Sequence, residues 1–394
     1  MISYGRQSIS QSDIDAVVEI LRGDWLTQGP TVGRFEQAVA DYCGATGAVA
    51  VSSGTAALHL ACLSLGFGRG DVLWTSPNTF VSSANCALFC GGDVDFVDID
   101  SRSYDLCPDA LERKLQKAEK VGRLPKIVMP VHFAGQSCDM PRIWDLAGRY
   151  GFKVVEDASH ALGGRYLDSP VGSCRYSDIT VFSFHPLKSI TTGEGGMALT
   201  NDLSLRRRMV QLRSHGIDRE PRGHKAPAQG TWHYEQTSLG YNYRMTDIQA
   251  ALGVSQLGRL DAFVAGRHGL AARYDKLLSG LAIGLHWQDE RVYSARHLYP
   301  IQVHGGGETR RRVFDRLRAN GIGVQVHYIP VHTQPFYRAR GFAQGDFPVA
   351  EAYYEGTMSL PLFPDLTPAQ QDSVVAELRQ ALQMAQAPAA GSPS

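Results

Sequence analysis

The chain has 394 residues, and its 39 Lys plus Arg balance 39 Asp plus Glu, so no basic field exists to hold a polyanion and nucleic acid is not an expected partner. With 43% of residues apolar and 20% charged, the composition is that of a folded globular protein, long enough for two or three domains and a large core. Seven cysteines, an odd number set mostly in apolar surroundings, and an N-terminus without an export signal point to reduced thiols in the cytoplasm.

The longest uncharged stretch, Tyr42 to Gly68, is interrupted by Ser52, Ser53, Gly54, Thr55 and His59. It therefore lacks the roughly 20 continuous apolar residues of a membrane span, and no membrane partner is expected. From Ala48 onward, short apolar runs alternate with longer amphipathic ones, the rhythm of βα units whose parallel strands are covered by helices on both faces. Strands are predicted at Ala48–Val51, Asp71–Thr75, Asp93–Asp98, Lys126–Val131 and Phe152–Glu156. The intervening helices fall at Ala56–Leu65, near Asn85, at Asp109–Lys120 and at Pro141–Tyr150. Asp178–Phe184 and Gly196–Thr200 read as a paired strand turn.

Arg219–Gln236, polar and holding Pro221, Gly223, Pro227 and Gly230, reads as a flexible excursion. After Asp247 the spacing of Ile248, Leu252, Leu257, Leu260 and Val264 predicts one long helix leaving a large α/β domain. A smaller α/β unit follows, with strands at His297–Val303 and Gly323–Tyr328 around a helix Thr309–Asn320, and a closing helix Thr367–Met384. The expected organisation is an N-terminal arm (1–30), a large domain (31–247), a small C-terminal domain (248–386) and a disordered Ala, Pro and Ser-rich tail (387–394).

Several chemistries lose support at once. The chain has no GxxxxGK[ST] loop, no convincing GxGxxG after the first strand, no HExxH and no CxxC, and Cys86 and Cys90 on an apolar helix read as packing rather than metal ligands. Three positive signals remain. Ser53-Gly54-Thr55-Ala56 opens a helix directly after a strand, where free N–H groups and the helix dipole favour a phosphate. The apolar strand Val154-Val155-Glu156 leads to Asp157 at the carboxyl edge of the sheet, where ligands of such sheets bind. Lys188 follows the apolar strand around Val181-Phe182-Ser183-Phe184, and Gly193, Gly195 and Gly196 allow a backbone to approach closely; desolvation there would lower the amine's pKa and make it a nucleophile toward a carbonyl. Singly each has a bland reading: a helix cap, a turn carboxylate, a surface cation. Together they match one cofactor, pyridoxal 5'-phosphate, whose phosphate wants N–H donors, whose ring nitrogen wants a carboxylate and whose aldehyde wants a lysine.

At these residues the chain resembles the DegT/DnrJ/EryC1/StrS sugar-nucleotide aminotransferases. The resemblance covers nearly the whole chain and is carried by Leu26-Thr27-Gln28-Gly29-Pro30, Ser53-Gly54-Thr55-Ala56-Ala57-Leu58, Glu156-Asp157-Ala158-Ser159-His160-Ala161, Ser183-Phe184-His185-Pro186-Leu187-Lys188, Gly193-Glu194-Gly195-Gly196 and Gly240-Tyr241-Asn242-Tyr243-Arg244-Met245. It implies a fold-type I pyridoxal phosphate enzyme, aspartate aminotransferase-like, with a mostly parallel sheet in the large domain. Within the family, Ile2-Ser3-Tyr4-Gly5-Arg6-Gln7, the segment from Phe184-His185 to Thr191-Thr192, and Gln325-Val326-His327-Tyr328 look most like the transaminases of pseudaminic acid synthesis. That likeness implies L-glutamate as amino donor and UDP-2-acetamido-2,6-dideoxy-β-L-arabino-hexos-4-ulose as acceptor.

Carried across by position, the resemblance implies Lys188 as Schiff-base lysine and proton shuttle and Asp157 as partner of the pyridinium nitrogen. It gives Thr55, Ala56 and Ser183 to the phosphate, Phe80 to the face of the ring and His160 to its phenolic oxygen. Asn242 would reach the phosphate of a neighbouring subunit in a homodimer. Arg244 would meet the donor carboxylate, and Tyr4, Gln28, His327 and Tyr328 would line the sugar-nucleotide pocket. A dehydratase of the same fold characteristically has histidine in place of the lysine, which Lys188 disfavours. A cofactor-binding regulatory sensor would carry a DNA-binding module that the sequence does not show. A nicotinamide-dependent oxidoreductase would need a fingerprint that the first βα turn lacks.

Overall fold

The fold is described from a computed structural model covering residues 1–219 and 229–386. Half of the excursion read at Arg219–Gln236, and the whole tail Ala387–Ser394, lie outside the described residues. Seven strands, β1 (Gly47–Val51), β2 (Val72–Thr75), β3 (Asp93–Phe96), β4 (Ile127–Met129), β5 (Lys153–Asp157), β6 (Ile179–Ser183) and β7 (Gly196–Thr200), form one sheet in the order β1-β7-β6-β5-β4-β2-β3. All pairings are parallel except those of β7, which runs against both β1 and β6. The expected strand turn joining β6 to β7 is therefore present.

The strands are apolar on both faces because helices cover both: β1, β4 and β7 are buried at every residue. Since β7 alone is reversed, its first residue Gly196 lies at the same sheet edge as the last residues of β1, β5 and β6. Glycine is required there. A Cβ on Gly196 would fall 2.4 Å from the Ser53 carbonyl oxygen, and one on Gly54 would fall 2.9 Å from the Ser183 Cβ. The first turn of the helix after β1 is thus pressed against the ends of β6 and β7.

The N-terminal segment holds two helices the sequence reading did not anticipate, α1 (Gln11–Arg22), closed by a Ser10/Asp13 capping box, and α2 (Pro30–Cys43). The N-terminus of α2 is held by a distant carboxylate: the Gly29 and Thr31 N–H groups donate to the two oxygens of fully buried Asp247 at 2.7 and 2.8 Å. The single long helix expected after Asp247 is two helices, Asp247–Leu257 and Leu260–Leu277, because the chain breaks at Gly258-Arg259. A second core is built on a three-stranded antiparallel sheet, Ile283–Leu285, Tyr299–Val303 and Thr357–Leu360, under the helices Gly306–Ala319 and Pro368–Gln386.

Gly323–Tyr328, expected as a strand, forms only an isolated bridge between Gln325 and Ser359. Its first residue is committed elsewhere, since the Gly323 N–H donates to the Ile2 carbonyl at 2.6 Å and the N-terminal segment lies along it. Among the described residues, no helix is long and apolar enough to cross a membrane.

Replacing Asp247 by alanine strips two buried N–H groups of a charged acceptor, a loss on the order of 3 kcal/mol. A clear fall in Tm by calorimetry is expected; an unchanged Tm would show that water or another group takes over the cap.

Candidate functional site

The sheet edge defined by Gly54, Asp157, Ser183 and Gly196 receives the chemistry-bearing residues. Asp157, the last residue of β5, is 5% exposed. The Ser83 hydroxyl donates to its Oδ2 at 2.6 Å, and the Ser159 hydroxyl and N–H donate to Oδ1 at 2.6 and 3.2 Å. Each carboxylate oxygen is thereby oriented while keeping lone pairs for a further partner. Glu156, one residue earlier, points to the opposite face as strand alternation requires. It accepts from His132 Nε2 at 2.7 Å, while the Cys138 N–H donates to His132 Nδ1 at 3.2 Å. With Nδ1 accepting, the imidazole proton sits on Nε2, so this pair belongs to the core.

Five residues after β6, Lys188 is partly buried and interacts electrostatically with Asp157. Burial pulls its amine down from the ordinary 10.5 to about 8, against the opposing pull of Asp157. His160 is buried beneath, its Nε2 3.2 Å from the Tyr328 hydroxyl and its ring centroid 4.4 Å from that of His297. Its Nδ1 is buried without a hydrogen-bond partner. Burial, with Lys188 nearby, holds His160 well below the usual imidazole range and brings His327 down to about 3. Both rings are therefore neutral at physiological pH. Burial, with Asp157 and Tyr4 nearby, pushes the Tyr328 phenol up, so it stays protonated.

His327 and Tyr328 are anchored from three sides: His327 Nδ1 lies 2.9 Å from the Ser359 hydroxyl, the Tyr328 N–H donates to Asn78 Oδ1 at 3.2 Å, and the Tyr4 ring lies 5.6 Å from that of His327. Tyr4 is placed by the isolated bridge of Ile2 to Ile322, and its carbonyl accepts from the Leu362 N–H at 3.0 Å.

The helix α3 (Gly54–Ser64) starts at the same edge, with Ser53 as N-cap accepting from the Ala56 N–H at 3.1 Å. Ala56, expected to face a phosphate, thus already has an internal acceptor. The Gly54 and Thr55 N–H groups, at the first two helical positions, have no intrahelical carbonyl to bond and remain for an anion. The Thr55 hydroxyl lies 2.7 Å from that of Ser82, on the helix α4 (Ser82–Phe89) that also carries Ser83. Phe80, just before α4, is 60% exposed, an aromatic ring free to receive a flat ligand. Ser183 closes the phosphate side against Gly54.

Four expected residues are placed by backbone contacts around this edge. Asn242 is exposed on a segment bridged to Ser214, Arg244 is partly buried with its backbone bridged to Val51, and exposed Gln28 takes a positive φ of 57° just before α2. The Phe80 carbonyl accepts from the Ser83 N–H at 3.3 Å, which ties it to the residue that bonds Asp157. Conversely, Ser83, Ser159, Asn78, His297 and Ser359 touch site residues and were not singled out in the sequence. Ser159 alone had a signal, a hydroxyl two residues after an aspartate, the spacing of an Asx turn.

The assembly fits pyridoxal phosphate: unbonded helix N–H groups, an oriented carboxylate, a destabilised ammonium, an open aromatic face and a buried imidazole nitrogen without a partner. The depressed amine also makes stability depend on pH. The cost of burying the ammonium is fully present below about pH 8 and is relieved as pH rises toward the unfolded value of about 10.4. In the ligand-free chain, wild type should therefore gain Tm relative to Lys188→Met between pH 8 and 10.5; parallel Tm curves would contradict the shift.

Residues 7–379 match the DegT/DnrJ/EryC1/StrS aminotransferase family. The spore coat polysaccharide biosynthesis protein SpsC of Bacillus subtilis is 40% identical over 385 residues, covering 96% of each chain. A UDP-4-amino-4,6-dideoxy-N-acetyl-beta-L-altrosamine transaminase of Campylobacter jejuni is 37% identical over 369 residues, covering 92% of each. Among solved structures, Helicobacter pylori PseC, an aminotransferase involved in the biosynthesis of pseudoaminic acid, superposes with a TM-score of 0.88 at 29% identity, covering 97% of this chain and 99% of PseC. Spr1654 from Streptococcus pneumoniae, solved in PLP and PMP forms, superposes at 0.89 with 28% identity, covering 98% of this chain and 100% of Spr1654. The chain belongs to the DegT/DnrJ/EryC1/StrS aminotransferase family, and it is a sugar transaminase of fold type I that works with pyridoxal phosphate.

Proposed function

We propose that the chain moves an amino group from L-glutamate to C4 of UDP-2-acetamido-2,6-dideoxy-β-L-arabino-hexos-4-ulose, giving UDP-4-amino-4,6-dideoxy-N-acetyl-β-L-altrosamine for pseudaminic acid synthesis. The observation that carries transamination is the pairing of a destabilised Lys188 ammonium with the hydroxyl-anchored Asp157 carboxylate. The choice of sugar is supported by the name of the Campylobacter jejuni relative and by the fit to PseC.

When bound, pyridoxal phosphate supplies an electron sink for a carbanion beside nitrogen. The residues of this chain do the rest. The Lys188 amine, neutral above about pH 8, takes the proton from the donor's α-carbon and in the second half-reaction delivers one to the sugar's C4. Asp157 holds a proton on the ring nitrogen, kept in line by Ser83 and Ser159. Thr55, through an N–H without an internal acceptor, and Ser183 receive the phosphate, while the Ala56 N–H stays with the Ser53 hydroxyl. Phe80 covers one ring face and His160 meets the phenolic oxygen. Tyr4, Gln28, His327 and Tyr328 face the nucleotide sugar, and Arg244 the donor carboxylate. Because one site serves two substrates in turn, the kinetics are ping-pong.

Asn242 is exposed, open to serve the phosphate of a neighbouring subunit in a homodimer. All seven cysteines are free, which suits work in the cytoplasm. A second acceptor, another nucleotide-linked 4-keto or 3-keto sugar, is favoured by one finding: SpsC, at 40%, is more similar than the Campylobacter transaminase at 37%.

Incubation with L-glutamate and the proposed keto-sugar, followed by NMR of the product, should give the 4-amine of the altrosamine configuration; turnover only with a different keto-sugar would transfer the assignment to the second acceptor. Asp157→Asn should retain the cofactor but lose at least about two orders of magnitude in kcat, the scale of a lost proton-transfer group. An unchanged kcat would remove Asp157 from its electronic role.

A further inference from the structure

Arg267, on the helix Leu260–Leu277, carries a guanidinium into the interior with no carboxylate to meet it. The residue is 2% exposed. Its Nη1 donates to the Leu362 and His297 carbonyls at 2.8 and 3.1 Å and reaches that of Arg296 at 3.5 Å. Nε and Nη2, the other edge of the planar fork, bond to no described residue, and Arg267 forms no ion pair among the described residues. Burial lowers the group only to about 10, so it is charged at neutral pH. A buried ion without a counter-ion is strongly destabilising, whereas the free edge of a guanidinium is a ready donor pair for an anion.

A small cavity lies against this residue. Its volume is about 10 Å³, the scale of a single water-sized occupant. Three segments distant in sequence form the wall: Arg6 and Gln7 of the N-terminal arm, Lys188, Ser189 and Thr191 of the loop after β6, and Arg267 of the second half. The other lining residues are uncharged, so among the described residues the wall holds three cations and no acid. Lys188 is answered by Asp157. Asp13 bonds the lining residue Gln256 at 2.7 Å but is itself paired with Arg259. Arg6 and Arg267 have no such partner among the described residues. The Thr191 hydroxyl is spent on the Phe184 carbonyl at 3.1 Å, while that of buried Ser189 bonds to no described residue.

We propose that this cavity is a halide site, taken by chloride and held by the Nε–Nη2 edge of Arg267 and the Ser189 hydroxyl. Charge excludes a cation. Size excludes phosphate, sulfate and carboxylates. Water would satisfy the donors but leave the guanidinium without a counter-ion. Arg6 and Gln7 are exposed, so this side of the wall can give way to an ion slightly larger than water and admit it from solvent. Bound chloride ties the N-terminal arm, the loop that carries Lys188 and the helix of Arg267 to one charge. It stabilises the folded chain without entering transamination, and the proposal holds whichever keto-sugar the enzyme takes.

The test soaks crystals of the holoenzyme in sodium bromide and collects diffraction data at the bromine absorption edge. The expected result is an anomalous peak in contact with the Arg267 guanidinium and the Ser189 hydroxyl. Bromide at exposed positions alone, or water against Arg267 with no anomalous signal, overturns the proposal. A solution measurement separates this from binding at crystal concentration only. At constant ionic strength, replacing sodium gluconate by sodium chloride should raise the Tm of the holoenzyme to a plateau, because a ligand of the folded chain stabilises it by mass action. Arg267→Met, similar in length and uncharged, should lose that rise. Should this variant not fold, Ser189→Ala takes its place, and the lost hydrogen bond should demand several-fold more chloride for the same rise. A wild-type Tm indifferent to the exchange, or a rise unchanged in the variants, overturns the proposal.

Discussion

A lysine ammonium and an aspartate carboxylate share one poorly solvated sheet edge, and the rest of the site is arranged around that pair. The carboxylate alone would hold the amine charged; burial outweighs it, so that the amine is easily stripped of its proton while the carboxylate stays oriented by Ser83 and Ser159. The neighbours complete the logic by staying neutral. His160 and His327 are buried imidazoles kept uncharged, and the Tyr328 phenol keeps its proton. A second cation beside Lys188 is thereby avoided, and the positive character of the site is left to the start of α3.

That arrangement depends on backbone approaches that only glycine permits. Reversal of β7 brings Gly196 against the Ser53 carbonyl, and Gly54 against Ser183. Three separate features of the sequence, the Ser-Gly-Thr turn, the strand ending at Ser183 and the glycine-rich return, are therefore one structural junction. The second half of the chain enters the same junction through His297, whose ring packs at a tilt against that of His160, and through His327 and Tyr328, braced by the N-terminal segment.

Much of this was legible in sequence because the signals are local. Apolar runs marked the strands β1 to β7, and a carboxylate and a lysine at strand ends marked the site. What could not be read is long-range. Ser83 lies 74 residues from the carboxylate it orients, and Asp247 caps a helix more than 200 residues before it. No periodicity announces either. The break at Gly258-Arg259 was hidden because the apolar spacing runs straight across it, and Gly323–Tyr328 has the composition of a strand but spends its pairing on Ile2. Ala56 is a subtler case: the serine that makes the helix start recognisable also takes the N–H that the motif suggested for a phosphate.

The most direct measurement of the central claim is borohydride reduction of the protein as isolated with its cofactor, followed by peptide mass spectrometry. The account predicts a single phosphopyridoxyl group, carried by the peptide that contains Lys188. A label on any other lysine, or none on a protein that retains its cofactor, would contradict it.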